Sequence, residues 1–585
     1  LVLRGANPDD SRVYVEGLEI PSAYHFGGLR STVRSTFLDD LNFVPGNFSA
    51  EYGRATGGIV GLGIRDPASD MLRGDFDINL YDAAFSLEGP LSDNAAIGGG
   101  FRRSYVDTIL PAVLPDDAPL SFDTAPRFYD YQLIATWKPT KTHKLRAFYY
   151  GSLDKLEILF DSPRDDPKAR GTLATRTMFH ALHAQSTLDI SPSLRQEAAL
   201  RVGLQQLKFS LGPEYVFDLF SWGFDTRVSW RWKLGEGLSL RTGLDGIVRQ
   251  VDLNLSLPRP PKEGEEQVPA STLKTLSAVF KEWVLEPAAY VDLRWRPTPS
   301  LTLTPGLRVD YYSPIDRFTV DPRLTAQWKV AERTELRAGV GLYQQQPLYD
   351  ESSEVFGTPT LLPERSLQTS AGVAHTLAEG VEVEITGFYK KIDQLVVRNL
   401  EVGADPDADP YTNEGVGRIH GVESLLKARL EGGFFGWISY TYQRSFRRDR
   451  PGDAERPFDF DQPHILTALG SYEIGAGWTA GARFRLVSGN PSTPVLGAVY
   501  DTGASVFVPQ YGEPNSTRLE AFHQLDVRID KTWTRETWKL SAYLDVQNVY
   551  NRGNPEGTNY NYDFTEGQPI TGLPILTILG VKGQW

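Results

Sequence analysis

Cysteine is missing from the 585-residue chain, which excludes a disulfide framework, thiol catalysis and thiolate metal sites. Long apolar runs are missing too, because no window of about 18 residues is both apolar and uncharged, so no helix is expected to span a bilayer. A transmembrane β-barrel stays compatible with this absence, since its strands only alternate in polarity over about ten residues. A basic excess is also missing: the net charge is −14, which argues against a nucleic-acid-binding protein.

Catalytic signatures are missing as well. The sequence has no HExxH, no Gly-x-Ser-x-Gly and no phosphate-binding loop, and no acid–base pair stands out, so we do not expect an enzyme. His180 and His183 lie three residues apart on a predicted strand, which puts them on opposite faces and prevents shared chelation. Asp405, Asp407 and Asp409 have calcium-loop spacing but lack the Gly and Glu of such a loop, which favours a solvated acidic loop. We expect no metal site and no cofactor.

What the sequence does contain is a long series of segments that alternate in polarity at period two. In "TELRAGVGLYQ", one face carries Leu336, Ala338, Val340 and Leu342. The same alternation recurs in "GVEVEITGFYK", "HQLDVRIDKTW" and "WKLSAYLDVQN". A half-buried soluble sheet alternates in the same way, so the connections between the segments have to discriminate.

The connections fall into two classes that alternate along the chain. Ten are very short turns, at 90–94, 138–143, 190–193, 233–237, 296–300, 329–334, 377–380, 430–436, 474–477 and 534–537. The other eleven are two tight connections, near Tyr81–Asp82 and at 312–318, and nine longer loops at about 104–127, 153–175, 211–220, 253–279, 345–363, 398–412, 445–463, 489–518 and 550–571. Ten and eleven connections together join twenty-two strands.

Short turns on one side and long loops on the other predict an all-β fold. The fold is a 22-stranded antiparallel transmembrane barrel of a bacterial outer membrane, with its turns in the periplasm and its loops outside the cell. A β-propeller would repeat its blades at a fixed period, which the sequence lacks. Tryptophan supports the barrel, because amphipathic rings favour the membrane–water boundary and eight lie close to a short turn. The alternative is that Trp simply favours strand ends in a soluble core. The eight are Trp137, Trp232, Trp295, Trp328, Trp437, Trp478, Trp533 and Trp538.

The first 71 residues differ from the rest, and we expect them to fill the lumen that a barrel of this width encloses. "SRVYVEGLEIP" predicts a strand, a Glu-Gly turn and a second strand. "STFLDDLNFVPGNFSAEYGRATGGIVGLGIRDP" predicts a short helix, a loop and a last strand. We therefore assign 1–71 to a small α+β plug fragment and 72–585 to the barrel. In "EYGRATGG", we expect Gly53, Gly57 and Gly58 to allow close packing and positive φ.

Several segments, taken in order, resemble the TonB-dependent outer-membrane receptors. "VLRG" followed by "VYVEGLEIP" is similar to the plug motif of this family, and "NFSAEYGRATGGIVGL" is similar to the end of the plug. "GLPILTILGVKGQW" resembles the closing barrel strand, whose terminal aromatic is read by the barrel-assembly machinery. The resemblance covers nearly the whole chain and includes the barrel segments "NEGVGRIHGVE" (413–423), "FDFDQPHIL" (458–466), "FHQLDVRIDKTW" (522–533) and "LDVQNVYNRGN" (544–554).

This resemblance implies a receptor in the outer membrane of a Gram-negative bacterium that takes up a scarce, bulky ligand. The implied partners are TonB, which transmits energy from the inner-membrane proton gradient, outer-membrane lipid and the assembly machinery. Plug arginines of the family pair with barrel glutamates, so we expect Arg4 and Arg54 to form a plug–barrel lock with Glu423.

The sequence departs from the family in two ways. The family's plug is about twice as long, so we expect a chain that lacks the first half of the plug and the TonB-binding segment. It also starts at "LVLRGANP" without Met or a signal peptide, which suggests a processed or truncated chain. The second departure is Gly583, which occupies a position where the family usually has an apolar residue.

Ligand contacts are expected at the plug apex and on the long loops. The apical segment "SAYHFGGLR" (22–30) is expected to face the extracellular vestibule, with packing against the barrel wall as the alternative. Exposed aromatic and polar loop residues favour binding, although packing within a loop explains them equally well. The candidates are Tyr24, His25, Phe26, Arg30, Gln345, Tyr349, Phe356, Tyr500 and Tyr511.

The ligand class is left open between a siderophore, another small molecule such as cobalamin, a glycan and a peptide. Three other functions also stay open. One is a passive porin-like channel, and another is a structural or secretion-associated barrel that holds a surface protein partner. The last is a soluble β-rich binding module.

Overall fold

The computed structural model describes residues 2–25, 28, 30–108, 121–160, 171–212, 215–258, 262, 273, 275–354, 357–399, 408–503 and 505–585. Its chain forms a four-stranded N-terminal sheet and a closed barrel, together with three small two-stranded sheets in the loops. None of the helices in these residues is long and apolar enough to cross a membrane.

The N-terminal sheet consists of β1 (Arg12–Val15), β2 (Leu18–Glu19), β3 (Leu38–Val44) and β4 (Ile59–Ile64), in the order β2-β1-β4-β3. Strand β1 pairs antiparallel with β2 through the turn at Glu16 and Gly17, which both have positive φ, as the Glu-Gly signal predicts. Strand β4 runs parallel to β1 and antiparallel to β3. Short 3₁₀ turns occupy Pro8–Asp10 and Ser35–Phe37.

The helix expected after Ser35 is absent from this described segment. A single 3₁₀ turn at Ser35–Phe37 leads directly into strand β3. Phe37 is 1% exposed and packs in a core with Ile64 and Ile134. The helix prediction is wrong because pairing between Leu38–Val44 and β4 satisfies the backbone of this segment, and tertiary pairing outweighs local helix propensity.

Twenty-two antiparallel strands close the barrel, which confirms the predicted fold class. The first eleven are β5 Arg73–Asn79, β6 Asp82–Ser92, β7 Ala95–Ser104, β8 Ser121–Thr140, β9 His143–Phe160, β10 Gly171–Ser191, β11 Leu194–Leu211, β12 Tyr215–Gly235, β13 Leu238–Pro258, β14 Thr275–Thr298 and β15 Leu301–Tyr312. A 3₁₀ turn at Ser313–Ile315 and helix α1, Tyr349–Ser352, lie in loops.

The second half of the barrel carries additional short strands in its loops. The barrel strands are β16 Arg317–Ala331, β17 Thr334–Gln345, β18 Glu364–Ala378, β19 Val381–Arg398, β20 Tyr411–Leu430, β21 Phe434–Arg448, β23 His464–Gly475, β24 Trp478–Val487, β29 Phe522–Thr534, β30 Lys539–Gln547 and β33 Leu576–Gln584. Strand β22, Arg456–Pro457, extends the pairing of β21. The loop strands are β25 Pro491–Ser492, β26 Val495–Asp501, β27 Val506–Tyr511, β28 Thr517–Arg518, β31 Pro555–Tyr560 and β32 Gly567–Thr571.

The ten predicted short turns all join neighbouring barrel strands at one end of the barrel. At the other end, β11 and β12 stay paired up to Leu211 and Tyr215, so these strands extend into the segment at about 211–220 that was predicted as a loop. In this hairpin, strand pairing continues beyond the membrane-facing apolar residues. A prediction from alternating polarity alone therefore ends the strands several residues too early.

Side chains alternate between lumen and exterior as expected for a membrane barrel. On β10, Phe179 and His183 are buried toward the lumen, whereas Leu182 is 46% exposed on the outer face. Six of the eight tryptophans near short turns have exposed rings: Trp137, Trp295, Trp328, Trp478, Trp533 and Trp538. These rings form the aromatic belt that the sequence predicts.

The last strand closes the ring against the first. Strand β33 pairs with β5, and Gly74 and Trp585 exchange two backbone hydrogen bonds of 3.0 Å. The Phe76 ring covers Gly583 so closely that a Cβ there would overlap it. Phe76 also lies 6.4 Å from the Trp585 ring, centroid to centroid. Phe76 therefore supplies the apolar surface that the unusual Gly583 lacks.

The N-terminal sheet lies inside the barrel, because its segment contacts lumen-facing side chains around most of the circumference. Arg34 Nη2 donates to Asp75 Oδ2 of β5 at 2.7 Å, on one wall. On the far walls, Thr56 N donates to Gln345 Oε1 of β17 at 3.1 Å. Ser445 Oγ of β21 donates to the carbonyl of Gly5 at 2.9 Å.

Candidate functional site

The segment Glu51–Arg54 ends in a group of barrel carboxylates. Arg54 Nη2 donates to Asp245 Oδ1 at 2.7 Å, and Nε lies 3.2 Å from Glu286 Oε2 and 3.5 Å from Asp310 Oδ1. Arg54 itself has φ 56°, a left-handed conformation that is strained for a non-glycine residue. Burial lowers its pKa, but Asp245 and Asp310 outweigh burial, so the pKa of Arg54 is raised and the guanidinium is charged.

Arg308 of β15 completes this group from the barrel side. Its side chain is fully buried and forms a bidentate pair with Asp310, at 2.7 and 2.8 Å. Arg308 Nη1 also lies 2.9 Å from Asp245 Oδ2, so Asp245 bridges Arg308 and Arg54. Two arginines and three carboxylates therefore form one buried network across the interface, which we call the Arg54 network (Arg54, Asp245, Glu286, Arg308 and Asp310).

Gly53 makes this arrangement sterically possible. A Cβ on Gly53 would overlap the guanidinium of Arg308, so only glycine leaves room for it. Gly57 and Gly58 are also in close contact with neighbouring chain, but none of the three has positive φ. The predicted close packing is correct, whereas the predicted positive φ is wrong and occurs at Arg54 instead.

A second connection joins Arg4 to Glu423 of β20. Arg4 Nε donates to Glu423 Oε1 at 2.9 Å and Nη2 donates to Oε2 at 2.6 Å, a bidentate fork. The Arg4 guanidinium also stacks over the Phe388 ring at 4.4 Å. The structure thus brings Arg4 and Glu423 together, while Arg54 pairs in its own network on β13–β15.

Barrel cations also hold the N-terminal segment by its backbone, which the sequence did not indicate. Arg323 Nη1 donates to the carbonyls of Ser49 and Tyr52, each at 2.6 Å. Lys390 Nζ donates to the carbonyl of Gly57 at 2.8 Å. The sequence shows basic residues at inward-facing strand positions, but it does not indicate which backbone carbonyls they contact.

The apical segment packs against the barrel wall. His25 is 2% exposed and lies between Asp130 and Asp154, with its ring stacked on Phe128 at 4.0 Å. The expectation that His25 faces the vestibule is therefore wrong, because two carboxylates and an aromatic ring of β8 and β9 enclose it. Burial lowers its pKa, but the bonds to Asp130 and Asp154 outweigh burial and raise the pKa of His25.

The other apical candidates differ in exposure. Tyr24 is 51% exposed and bridges to Ser31, and this position suits contact with a ligand. Arg30 Nε donates to Asp82 Oδ2 at 2.8 Å and keeps part of its side chain exposed. Phe26 lies outside the described residues.

The loop candidates divide in the same way. Gln345 is 5% exposed and donates to Asp10 Oδ1 at 2.9 Å, so it contacts the N-terminal segment and is not the exposed loop residue that was expected. Half-buried Tyr349 donates to Glu282 Oε2 at 2.5 Å and stacks on Phe280. Tyr500 is 46% exposed and packs edge-on against Phe507. Tyr511 is half-buried on β27, and Phe356 lies outside the described residues.

A cavity of about 230 Å³ opens between the 3₁₀ turn Pro8–Asp10 and the long-loop ends of β17 to β21. Both acidic and basic groups line it, and some of them pair with one another, such as Arg456 with Asp449 at 2.9 Å, so the cavity suits a polar ligand. Its charged lining residues are Asp9, Asp10, Lys262, Glu351, Glu364, Arg398, Arg447, Asp449, Arg450 and Arg456. The structure thus places a cavity directly against the N-terminal segment, a feature that the sequence analysis missed.

The residues that the structure describes include no group of three or more side chains able to hold a metal ion. His183 is buried toward the lumen, whereas His180 lies on the outer face against Tyr131, so the two occupy opposite faces as predicted. Asp405 and Asp407 of the acidic loop lie outside the described residues.

Comparison with known proteins agrees with this architecture. The family model described as TonB dependent receptor-like, beta-barrel matches residues 183–549. The siderophore receptor PirA from Pseudomonas aeruginosa is 15% identical, with a TM-score of 0.68 over 100% of this chain and 92% of that chain. The FrpB iron transporter from Neisseria meningitidis is 14% identical, with a TM-score of 0.72 over 100% of this chain and 92% of that chain.

A third similar structure is the outer membrane transporter YddB from Escherichia coli, which is 12% identical, with a TM-score of 0.71 over 100% of this chain and 91% of that chain. At such identities the likeness shows the fold alone. No curated protein matches the sequence.

Proposed function

Because the chain belongs to the TonB-dependent receptors of the bacterial outer membrane, we propose that it takes up a scarce ligand into the periplasm by TonB-driven movement of its N-terminal segment. The observation that carries this proposal is the Arg54 network. A segment held in the lumen by buried ion pairs closes the barrel, yet can be released when a few contacts rearrange together.

We propose residues 1–71 as the plug and 72–585 as the barrel. The sheet β1–β4 and its contacts to β5, β13, β17 and β20 support this division. TonB is the proposed source of mechanical energy, since the outer membrane holds no gradient of its own.

The proposed route for the ligand starts at exposed Tyr24 and Tyr500 and half-buried Tyr511, and it ends in the cavity beside Asp10. A ligand there touches both the 3₁₀ turn Pro8–Asp10 and the barrel wall, so its binding can be communicated to the plug. We favour a siderophore or another polar nutrient, because both signs of charge line the cavity and the structural neighbours include siderophore receptors.

Uptake by cells tests the proposal. Cells that produce the natural full-length protein would be given labelled ferric siderophores, cobalamin, oligosaccharides and peptides, with and without a proton uncoupler. We expect accumulation of one class only, and its loss when the uncoupler or a TonB deletion is introduced. Accumulation that continues in both conditions would refute energised uptake.

A passive channel has one supporting observation. A lumen-side cavity of about 390 Å³ runs along β23, β24, β29 and β30, with Arg483, Asp526, Arg528 and Asp545 in its lining. Conductance across a planar bilayer discriminates, because a steady open current through the purified protein would favour the channel, and a closed barrel would favour the receptor.

A structural or secretion-associated barrel would instead co-purify with a stoichiometric surface protein partner. The soluble-module alternative conflicts with the fold, because a closed barrel with exposed Leu182, Leu244 and Leu285 on its outer face requires lipid around it.

A further inference from the structure

A row of basic residues crosses four neighbouring strands of the barrel wall. The strand register places Arg127 of β8 opposite Lys155 of β9, Lys155 opposite Arg176 of β10, and Arg176 opposite Lys208 of β11. We call these four residues the basic row. Like charges directly opposite one another destabilise a sheet, so such a row requires counter-charge from elsewhere.

Arg127 and Lys155 point away from the lumen. Their chain neighbours Phe128 and Asp154 both contact His25 of the N-terminal segment inside the barrel. Because successive strand residues face opposite sides, Arg127 and Lys155 face outward.

The same alternation settles the other two members of the row. Phe179 and Arg201 are buried toward the lumen. Arg176 and Lys208 are an odd number of positions away from them and therefore face outward. Their exposure agrees, because both are exposed residues.

The protein supplies too little negative charge for the row. Lys155 Nζ lies 2.7 Å from Glu157 Oε1, and Lys208 Nζ lies 3.5 Å from Asp218 Oδ2. Arg176 contacts only the Met178 sulfur, at 3.5 Å, among the side chains described. Within the same described side chains, Arg127 has no carboxylate partner either. The two arginines therefore leave an excess of positive charge.

The basic row marks the upper edge of the apolar band. Below Lys155 on β9, the outward positions are uncharged down to the short turn: Leu145, Ala147, Tyr149, Gly151 and Leu153. Tyr131 and His180, joined by a 2.5 Å hydrogen bond, lie just below the row, at the level of Gly151. An apolar band of about 25 Å ends at aromatic girdles, so the row stands at the level of the outer-leaflet headgroups.

We propose that the basic row binds the phosphate groups of a phosphorylated glycolipid in the outer leaflet, with its acyl chains along the apolar wall of β8–β11. Arginine forks match phosphate oxygens, and each phosphate brings the negative charge that Arg127 and Arg176 lack. A lipid is favoured over a soluble anion because the charged row continues directly into an apolar surface. This inference concerns the outer wall and does not depend on the ligand taken up through the lumen.

Native mass spectrometry of the purified chain in detergent tests this site with diphosphorylated lipid A and with the same lipid after dephosphorylation. The test variant is Arg127→Gln with Arg176→Gln. We expect its affinity for diphosphorylated lipid A to fall about 30-fold, from roughly fivefold per basic residue, with no change for the dephosphorylated lipid.

The matched control is Lys281→Gln with Arg418→Gln, two outward cations that already have carboxylate partners, Asp252 at 2.9 Å and Glu455 at 2.7 Å. The control should bind both lipids like the wild type. Equal losses in both double variants, or equal affinity of the wild type for the two lipids, would overturn the proposal.

Two further measurements protect this test. Heat-modifiable mobility on a gel reports whether the test variant folds. If the test variant does not fold, the salt dependence of binding to the wild-type protein is measured in its place. Binding of the phosphorylated lipid must then weaken between 0.05 and about 0.5 M salt, whereas binding of the dephosphorylated lipid must not. The last measurement uses inorganic phosphate as the ligand. If phosphate raises the melting temperature of the wild-type protein as much as the lipid does, the basic row is a site for a free anion, and the proposal of a lipid site is wrong.

Discussion

His25 Nε2 lies 3.0 Å from Asp130 Oδ2, and both side chains are almost completely buried. The other ring nitrogen, Nδ1, lies 2.5 Å from Asp154 Oδ1. An ionised carboxylate has no proton to donate and can only accept hydrogen bonds. Both ring nitrogens of His25 therefore donate, and the ring is an imidazolium. Arg102, whose Nε donates to Asp130 at 2.6 Å, and Gln132, whose Nε2 donates to the other oxygen of Asp130, also face this group.

This geometry predicts pH-dependent docking of the plug apex. The pKa of His25 is raised in the folded state, so its stabilising contribution is complete below the unfolded pKa of about 6.5 and is lost as pH rises through the folded pKa. Hydrogen exchange of residues 22–25 and 30–35, measured between pH 5.5 and 9, should accelerate beyond the intrinsic pH effect.

The control for this prediction is His25→Gln, which keeps two polar contacts but carries no charge. Its protection should be lower at acidic pH and should not depend on pH. Equal pH dependence in the wild type and in His25→Gln would show that another group controls the apex.

Removing Arg54 should loosen the plug. Arg54→Gln leaves Asp245 with Arg308 and Arg227 and removes the ion pair of Glu286 with Arg54. Breaking a buried pair in this way costs about 3–5 kcal/mol. We expect faster hydrogen exchange in β4 and higher sensitivity of cells to vancomycin. The matched control is Arg337→Gln, an exposed arginine whose pair with Glu335 contributes at most about 1 kcal/mol. Identical exchange in the two variants would remove the Arg54 network from the plug lock.

Gly53 and Gly61 offer a steric comparison within the plug. Gly53→Ala should displace the buried Arg308 guanidinium and cost about 1–3 kcal/mol, because the added methyl has no room. Gly61→Ala places its Cβ 3.6 Å from the nearest side-chain atom, an ordinary contact, and should leave stability nearly unchanged. Thermal melting of the purified variants checks the difference. Equal melting temperatures would mean that Arg308 can move without loss.

The bidentate pair of Arg4 and Glu423 should contribute a coupling energy that lysine at position 4 does not restore. Arg4→Lys retains the charge but not the two parallel hydrogen bonds, so about 1.5–3 kcal/mol of plug stability should be lost. A double-mutant cycle with Glu423→Gln, read by denaturant-induced exposure of the plug, measures the pair. A coupling energy near zero would leave Arg4 with only its stacking on Phe388.

Sequence reasoning was strongest where geometry repeats. Alternation on β17, with Leu336 and Val340 outward and Tyr343 inward, and the ten short turns were enough to derive the strand number. It failed at Ser35, where a 3₁₀ turn and strand β3 replaced the expected helix, because pairing with β4 is not written in the local sequence.

Contacts across the lumen were largely beyond the sequence. The resemblance pointed to Arg4, Arg54 and Glu423 as a set, yet it could not tell that Arg54 meets Asp245, since those residues are far apart in the chain. Polar side chains in loops suggest exposure, yet His25 and Gln345 are both buried. Burial of a polar residue becomes predictable only when its partners are known, and here these come from distant strands.

The hydrogen bonds between Gly74 and Trp585 have a consequence for how the molecule is made. Strand β33 completes the ring, so until it pairs with β5 two strand edges remain open and ready to pair with other chains. A truncated protein that lacks only β33 would expose the unpaired edges of β5 and β30. We expect it to aggregate or to be degraded before it reaches the membrane. Closure of this barrel therefore waits for the synthesis of β33, the last of its strands along the sequence.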